Sequence, residues 1–163
     1  MKAIDLIRFA LERSQQGTTR LIEDIRNTPM TQPCSNGNHP LWIMGHLTFI
    51  EGNMRRIVTG EPNPVENWAP LFAPGTEIKT DPKNYPPFEE IVRTYRDLRA
   101  ANLKMLDALG DAGLDRAPRW TPPGFEEMMK TNGHALLLIS LHNMVHYGQI
   151  TVVRRAAGLK PLM

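Results

Sequence analysis

The sequence predicts an all-α protein built as a four-helix bundle. Four segments repeat apolar residues with a helical period of about 3.6, and no segment alternates apolar and polar residues for long enough to suggest a sheet. A proline-rich stretch separates the second helical segment from the third. With 163 residues, 41% hydrophobic and 22% charged, the chain is long enough for one domain, residues 1–163, with a sizeable core.

The first helix is predicted over residues 3–27. Apolar side chains and one threonine recur along one face with charged residues between them, as expected for an amphipathic helix. Asn27, Thr28 and Pro29 favour a turn, so they are expected to end it. Its inward face carries Ile4, Ile7, Leu11, Thr18, Leu21, Ile22 and Ile25.

The second helix is predicted from Pro40 to Thr59. Proline is favoured at the first helical position, where its missing N–H costs nothing, and Gly60 follows where helices commonly close. His46 lies in the middle of the inward stripe, among apolar neighbours. That stripe consists of Trp42, Ile43, His46, Phe49, Ile50, Asn53 and Ile57.

Residues 60–87 lack helical periodicity and hold seven of the fourteen prolines. A connection this long in a compact domain is usually functional or a crossover. It can return along the second helix, which spans about 28 Å, so the third helix can run parallel to the second. Trp68, Leu71 and Phe72 are expected to anchor the loop on the end of the bundle.

The third helix is predicted from Phe88 to Leu109, where Gly110 stops it. Residues 111–130 then form a second irregular region, in which residues 125–129 have room for a short turn of helix. The inward face of the third helix carries Ile91, Tyr95, Leu98, Asn102, Met105 and Leu109.

The fourth helix, predicted over residues 131–157 and closed by Gly158 and Pro161, contains His142 and His146. Residues four apart share a face about one turn (~6 Å) apart, the spacing at which two imidazoles can bind one metal ion. The face should look inward, so both rings need polar partners, and one shared metal ion would satisfy both. The same face carries Ala135, Leu138, Ile139, Gln149 and Val153.

His46 completes the candidate metal site with His142 and His146. Facing helices of a bundle pack about 8–10 Å apart, close enough for three imidazoles from two inward faces to converge. Three histidine nitrogens with a position left for water are typical of a catalytic metal site more than of a structural one. Imidazole ligands alone do not choose among zinc, nickel and iron.

Other polar side chains are assigned lesser roles. His39 and His134 are interpreted as surface or capping residues, and Cys34 as an inert thiol without a basic neighbour in its loop to activate it. Gln149 either orients a ligand or binds substrate, or it makes a hydrogen bond between packed helices. Asn53 and Asn102 are further inward polar positions, and Arg154 and Arg155 either complement the helix dipole or receive an anionic substrate.

The sequence does not place a general base. Glu51 lies about 140° from His46 around the second helix, so it should point away from the site. One glutamate of the irregular segments could reach in as part of a lid. The candidates are Glu61, Glu66, Glu77, Glu126 and Glu127.

Composition excludes several classes of protein. The net charge is +2, with 19 basic and 17 acidic residues spread along the chain, which disfavours nucleic-acid binding. Asp5, Arg8 and Glu12 interrupt the apolar N-terminal stretch, and no run approaches the ~18 apolar residues of a membrane span. The single cysteine cannot form an internal disulfide. A cytoplasmic protein acting on a small molecule, without membrane or nucleic-acid partners, is expected.

Three features in this order resemble the DinB-like (DinB/YfiT) metalloprotein superfamily: the Trp-x-x-Gly-His-Leu segment Trp42–Leu47, the long crossover, and the His-x-x-x-His-x-Gly-Gln-like ending His142–Gln149. With the terminal segment, residues 154–162, the likeness covers nearly the whole chain. The resemblance implies an up-down-down-up bundle, a metal triad at His46, His142 and His146, and a homodimer.

The resemblance also implies a chemistry. Members with assigned activity are similar to thiol-dependent S-transferases, which use low-molecular-weight thiols such as bacillithiol or mycothiol, or to related isomerases. This chain has Tyr147 where arginine often precedes Gly-Gln, and Leu138 where some members have another histidine. These departures leave the three metal residues intact. They change positions that belong to the pattern of the thiol-transferases, so the thiol substrate is the part of the resemblance they concern.

The leading hypothesis is therefore a divalent-metal-dependent enzyme, in which a metal-activated thiol or water attacks a small electrophilic substrate, as in an S-transferase or a hydrolase. The first alternative is a non-catalytic bundle that is stapled by the metal or stores a ligand. The second is an interaction protein with core histidines and no metal.

Overall fold

The computed structural model describes residues 2–31, 33 and 37–160. These residues form five α-helices and no β-strand, which confirms the all-α prediction. Cys34 and Pro161, for which roles were predicted, lie outside the described residues. The helices are α1 (Ala3–Asp24), α2 (Pro40–Thr59), α3 (Ala69–Phe72), α4 (Phe88–Leu114) and α5 (Asn132–Ala156).

The ends of α2 follow from local chemistry. The His39 ring accepts a hydrogen bond from the backbone N–H of Trp42 at 3.0 Å, and Pro40 occupies the first helical position. At the other end Gly60 has φ 81°, a left-handed conformation that glycine adopts without strain. The predicted boundaries of this helix are confirmed.

Two other helix ends differ from the prediction. Helix α1 ends at Asp24 and not at residue 27, because the N–H and hydroxyl of Thr28 both donate to the Ile25 carbonyl and close a turn. Gly110 was predicted to end α4 after Leu109; it does break the helical geometry, with φ 58°, but the chain resumes that geometry as far as Leu114. A glycine in the sequence indicates where a helix is broken, but it does not indicate whether another helical turn follows the break.

The connection between α2 and α4 is not structureless, since it contains α3 and two short 3₁₀ helices. These pieces have three or four residues each, too few to leave a periodic pattern in the sequence. The predicted anchors do pack against the core: Trp68 and Phe72 are buried and Leu71 is partly buried.

Residues 115–131, here called the strap, cross the C-terminal end of α2. The backbone N–H groups of Arg119 and Trp120 both donate to the carbonyl of Ile57, at 2.7 and 3.3 Å. Residues 125–129 form a single turn, closed by the backbone N–H groups of Met128 and Met129 donating to the Phe125 carbonyl, in the place where the sequence left room for a short turn of helix. The strap therefore lies beside the second half of α2.

Helix α2 is buried on nearly every side. It contacts α4 and α5, while α1 packs against α5 and α4. The predicted stripe of α2 was too narrow, because residues on nearly every side are buried, including Glu51 opposite His46. Its sequence is apolar around most of its circumference, which is typical of a helix surrounded by others.

A layer of buried polar side chains separates two apolar cores. One core holds residues such as Ile43, Phe72 and Tyr95, and the other holds residues such as Leu11, Ile57 and Leu136. Each long helix contributes to what we call the polar layer. Its members are Ser14, Thr18, Glu51, Arg99, Asn102, Ser140, Asn143 and His146.

Within the described residues, α5 is the helix long and apolar enough to cross a membrane, with a mean hydropathy of 1.2 over its best window. This criterion uses length and composition only, and the core helix of a soluble protein also meets it. In this structure α5 packs against α1, α2 and α4.

Candidate metal centre

His46 is held in one orientation by contacts on two sides. Its Nδ1 lies 2.7 Å from the carbonyl oxygen of Phe72. Since a carbonyl only accepts, Nδ1 carries the proton and donates. The ring also stacks on Trp42, with centroids 4.8 Å apart and planes 8° from parallel. The lone pair of Nε2 therefore points away from both contacts, towards α5.

Gly45 makes the contact between His46 and Phe72 geometrically allowed. A Cβ atom at position 45 would lie 2.0 Å from Cε1 of the Phe72 ring, far inside van der Waals contact. The glycine that precedes His46 thus lets α3 press against α2. As a result, the carbonyl of Phe72 reaches Nδ1 of the histidine.

His146 is oriented by a side chain one turn further along α5. Its Nδ1 lies 2.8 Å from Oε1 of Gln149, and the amide of Asn38 also donates to that oxygen, at 3.4 Å. Nδ1 of His146 is therefore the protonated nitrogen, and Nε2 keeps its lone pair. Of the roles considered for Gln149, its contacts match the orientation of a candidate ligand.

The Nε2 atoms of the three histidines converge. Nε2 of His142 lies 3.3 Å from Nε2 of His46 and 3.1 Å from Nε2 of His146. The candidate ligand atoms all lie within 4.8 Å of one another. Two nitrogens about 2.0–2.1 Å from one ion and separated by 3.1 or 3.3 Å, as His142 is from the other two rings, subtend roughly 100° at the ion, close to the tetrahedral angle.

His142 has a buried atom that no group among the described residues satisfies. Within residues 2–31, 33 and 37–160, its Nδ1 is buried without a hydrogen-bond partner. If Nδ1 of His142 carries the proton, that N–H has no acceptor, and the Nε2 lone pairs of all three histidines face one another. If Nε2 of His142 carries the proton, it can donate to one of the other two Nε2 atoms, but the lone pair of Nδ1 then has no donor. A cation among the Nε2 atoms would relieve the repulsion of the first arrangement, so the donor set fits a metal ion.

Burial keeps the three rings neutral near pH 7. Burial lowers the pKa of His46 to about 4. For His142, burial and then the neighbouring His146 and His46 lower the pKa to about 3. Burial also lowers the pKa of His146, against the opposing hydrogen bond to Gln149. Neutral imidazoles are the form that binds metal ions.

A cavity of about 470 Å³ opens beside the histidines, lined by His46 and His142. Its volume lies within the range of small-molecule sites, roughly 300–1,000 Å³. Helices α2 and α5 form two walls and the strap forms another. Its other lining residues are Phe49, Ile50, Asn53, Arg56, Ile57, Glu66, Pro74, Trp120, Pro122, Phe125, Met129, Leu138, Ile139, Leu141 and Val145.

Among the glutamates predicted as lid residues, Glu66 is the one that lines this cavity. Three others pair with nearby cations: Glu61 with Arg55, Glu77 with Lys79, and Glu127 with Lys130. Glu126 is exposed.

Glu51 points away from the histidines, as predicted. It forms a fully buried ion pair with Arg99, and Asn102 donates to it at 2.8 Å. The pair was not expected, because a sequence does not show that two charged residues on different helices are buried together. Asn53 accepts a hydrogen bond from Asn63 at 2.9 Å.

The remaining candidates lie elsewhere. His39 caps α2 and is buried, so its predicted capping role is confirmed, while His134 is exposed. Arg154 forms an ion pair with Asp24 at 3.2 Å, and Arg155 is exposed. Sequence reasoning missed three contributors to the site: the Phe72 carbonyl, Arg56 and Trp120. None has a signal in the sequence, because each acts through the path of a loop or the end of a helix.

Comparison with known families gives one match. A family model described as the DinB superfamily matches residues 10–150. No curated protein matches the chain. The matched region contains all of α2, α3 and α4 and most of α1 and α5. It therefore includes the segment Trp42–Leu47 and the three histidines.

Proposed function

Because the chain belongs to the DinB superfamily, we propose that it is a divalent-metal-dependent enzyme in which His46, His142 and His146 hold the ion. The observation that supports this most is the convergence of three Nε2 atoms, two of them fixed by hydrogen bonds at Nδ1. A divalent ion with an open position lowers the pKa of a bound water or thiol to near neutrality. Zinc, nickel and iron all suit such ligands.

The protein's own groups have distinct roles in this proposal. Phe72 and Gln149 fix the tautomers and directions of His46 and His146, and Trp42 holds the plane of the His46 ring. The cavity beside the site receives a small electrophilic substrate and keeps bulk water away from it. Either a low-molecular-weight thiol or water is the nucleophile, which makes the reaction an S-transfer or a hydrolysis.

We propose Glu66 as the general base. It lines the same cavity as His46 and His142, and in the described part of the chain its carboxylate forms no ion pair. A carboxylate in this place can take the proton of the attacking water or thiol. Replacing Glu66 by Gln should lower turnover by roughly 10²–10⁴ without loss of metal. Glu61→Gln, whose carboxylate pairs with Arg55, is the matched control.

Elemental analysis tests the metal site. Untagged protein purified without added metal is expected to contain about one divalent ion per chain, and His46→Ala and His142→Ala should lose it while remaining helical. His134→Ala is the control, because this histidine is exposed on the same helix as His142. Equal metal content in all four proteins would contradict the triad.

Chelation separates the enzyme from a metal staple. The enzyme should lose turnover in thiol-transfer or hydrolysis screens and recover it when the ion is restored. A staple would have no turnover to lose and would unfold on chelation. A bundle without metal would be indifferent to the chelator in both respects.

We also propose the up-down-down-up order for the four long helices. The contacts that support it join opposite ends of α1 and α4, where Ile4 N–H donates to Asp111 and Arg26 pairs with Glu89. Helices α2 and α4 pair in the same chain direction, since the hydroxyl of Thr48 donates to the Ile91 carbonyl at 3.5 Å and Glu51, further along α2, pairs with Arg99, further along α4. The long connection between them is then the crossover, and residues 1–163 are one domain.

We propose a cytoplasmic homodimer, without membrane or nucleic-acid partners. Exposed apolar side chains on the neighbouring helices α1 and α5 favour association, since apolar patches of this kind commonly lie at interfaces. Light scattering coupled to gel filtration tests the dimer, and Phe9→Glu with Met144→Glu should give a monomer. The exposed apolar side chains of α1 and α5 that do not line the cavity are Leu6, Phe9, Leu137, Met144 and Val152.

A further inference from the structure

We propose that the cavity beside the three histidines selects molecules with one anionic group on an apolar body, and that Arg56 binds the anion. This selectivity rests on the proposed function, because it takes the cavity to be the substrate site of the three histidines. It adds the class of the substrate, which the histidines themselves leave open.

The walls of the cavity match an apolar body. Side chains such as Phe49, Ile139 and Leu141 come from the helices, and Pro122 and Phe125 come from the strap. Burial of apolar surface against such walls is favourable, whereas a polar body would lose its water without finding partners. A ligand with polar groups all round is therefore disfavoured.

Arg56 is the cation within these walls. Its guanidinium lies over the ring of Trp120, with Cζ 4.2 Å from the ring centroid. An arginine stacked in this way has its face covered, while the N–H groups at its edge remain in plane and able to donate. The stacking also limits its rotamers, so binding an anion costs little further ordering.

Among the described residues, the guanidinium of Arg56 has no counter-ion. None of their carboxylates lies within 4.0 Å of it, whereas the adjacent Arg55 pairs with Glu61. A half-buried cation bordered by apolar walls is stabilised by an anion that accepts two parallel N–H bonds. A carboxylate on the ligand has this geometry.

Glu66 argues for the opposite charge, since it lines the same cavity. Its side chain is exposed, however, while Arg56 is half-buried. Water and salt screen the field of an exposed carboxylate far more than that of a cation packed on an aromatic ring. Arg56 should therefore determine the sign of charge that the cavity accepts.

Three ligands with one apolar body test this selectivity: 4-phenylbutyrate, 4-phenylbutanol and 4-phenylbutylamine, titrated calorimetrically into wild type, Arg56→Gln and Arg55→Gln. Wild type should bind the carboxylate about tenfold or more tightly than the alcohol. Arg56→Gln should remove this preference and leave the alcohol unchanged. Arg55→Gln loses the same charge one residue away and should behave as wild type.

Three results would overturn the proposal. Equal affinity of wild type for carboxylate and alcohol would mean that the cavity does not select anions. Tightest binding of the amine would mean that Glu66 sets the charge. A carboxylate preference that survives in Arg56→Gln also contradicts it, because the anion then binds elsewhere, for example at a metal ion.

Repeating the titrations after chelation separates this inference from the proposed function. Arg56-dependent preference for the carboxylate in protein shown to contain no metal, before or after reconstitution, supports the anion site and contradicts the metalloenzyme. Bound metal together with a preference that disappears on chelation, and not on loss of Arg56, supports the metal site and contradicts the anion site.

Discussion

At the scale of single residues, this protein uses histidine in two different ways. His39 joins a helix to a loop, because its Nδ1 accepts from Trp42 N–H while its Nε2 donates to the Lys79 carbonyl at 2.8 Å. The histidines of the candidate metal centre instead direct Nε2 at one another. Both ring nitrogens of His39 have protein partners, whereas the Nε2 atoms of the candidate metal centre are left for a ligand such as a metal ion.

Replacing His39 should separate its two bonds. His39→Ala loses the cap of α2 and the bond to Lys79, whereas Asn can still cap the helix and loses only the second bond. We expect His39→Ala to be less stable than His39→Asn by about 1 kcal/mol in urea unfolding. Equal stabilities would show that the imidazole does not cap α2.

The buried pair of Glu51 and Arg99 should be strongly coupled. Either side chain alone would be a buried, unpaired charge, so Glu51→Ala and Arg99→Ala are each expected to cost about 3–5 kcal/mol. The double variant leaves no unpaired charge and should cost clearly less than the two single losses together. Chemical denaturation of the four proteins measures the coupling, and strict additivity would contradict it.

At the scale of elements, the important contact is that between α2 and α3. Gly45→Ala places a methyl group inside the Phe72 ring. The expected cost is about 1–3 kcal/mol of stability, together with lower metal content, since the Phe72 carbonyl moves away from His46. Gly45→Ala combined with Phe72→Leu should recover stability. Thermal unfolding and elemental analysis measure both effects.

Gly148→Ala is the control for that prediction. It is the same change in a long helix, but a Cβ at position 148 meets nothing within 4 Å. Alanine is the better helix former, so this variant should gain about 0.5–1 kcal/mol. A similar loss of stability in both variants would show that Gly45 is not required for the packing against Phe72.

The same elements show what the sequence could and could not predict. Apolar periodicity located the four long helices, and Pro40 and Gly60 marked the ends of α2, because these signals are local. The facing of His46 towards His142 and His146 followed from helical angles. Arg99 was missed as a core residue because its burial depends on Glu51 of another helix. The cavity was missed because the path of the strap is set by tertiary contacts such as that with Ile57.

At the scale of the whole molecule, the polar layer divides the interior into two apolar cores. Each core is built without the histidines' Nε2 atoms, so neither should require a metal ion to form. In the layer Arg99 donates to Glu51, to Ser14 and to the Leu11 carbonyl, which ties three helices together. Tyr95 donates to Asn143 at 2.6 Å and links α4 to α5 in the same way.

Chelation should therefore loosen the molecule without unfolding it. A hundredfold excess of free ion over its dissociation constant contributes about 2.7 kcal/mol, or roughly 5–10 °C in Tm for a chain of this size. We expect the circular dichroism at 25 °C to be unchanged after chelation and Tm to fall within that range. Complete loss of helicity on chelation would contradict two metal-independent cores.

The metal-free protein should lose stability in mild acid. The pKa of His46 is about 4 in the folded chain and about 6.5 when unfolded, so the unfolded chain takes up the proton first as pH falls. The stability that the neutral His46 ring contributes is fully present above pH 6.5 and is lost progressively down to about pH 4. The loss due to His46 is about 3 kcal/mol. Urea unfolding across this range measures it.

His46→Asn is the matched variant for the acid prediction. It removes one titrating ring, and its stability should depend on pH less steeply than that of the wild type between pH 6.5 and 4. The change also removes the His46 ring from beside His142, whose lowered pKa depends in part on that ring, so the slope should fall by the His46 contribution and by part of the His142 contribution. An identical slope would mean that His46 is not held neutral by burial.

The walls of the cavity are built partly from long helices and partly from loops. The three histidines lie on long helices whose other faces build the core, so those helices tolerate little change. Much of the facing wall belongs to the strap and to the connection after α2, where Trp120, Phe125 and Pro74 lie outside long helices. Loops of this kind accept substitutions and insertions readily. Diversification of substrate among descendants of such a protein can therefore proceed in the loops, while the metal-binding framework is inherited unchanged.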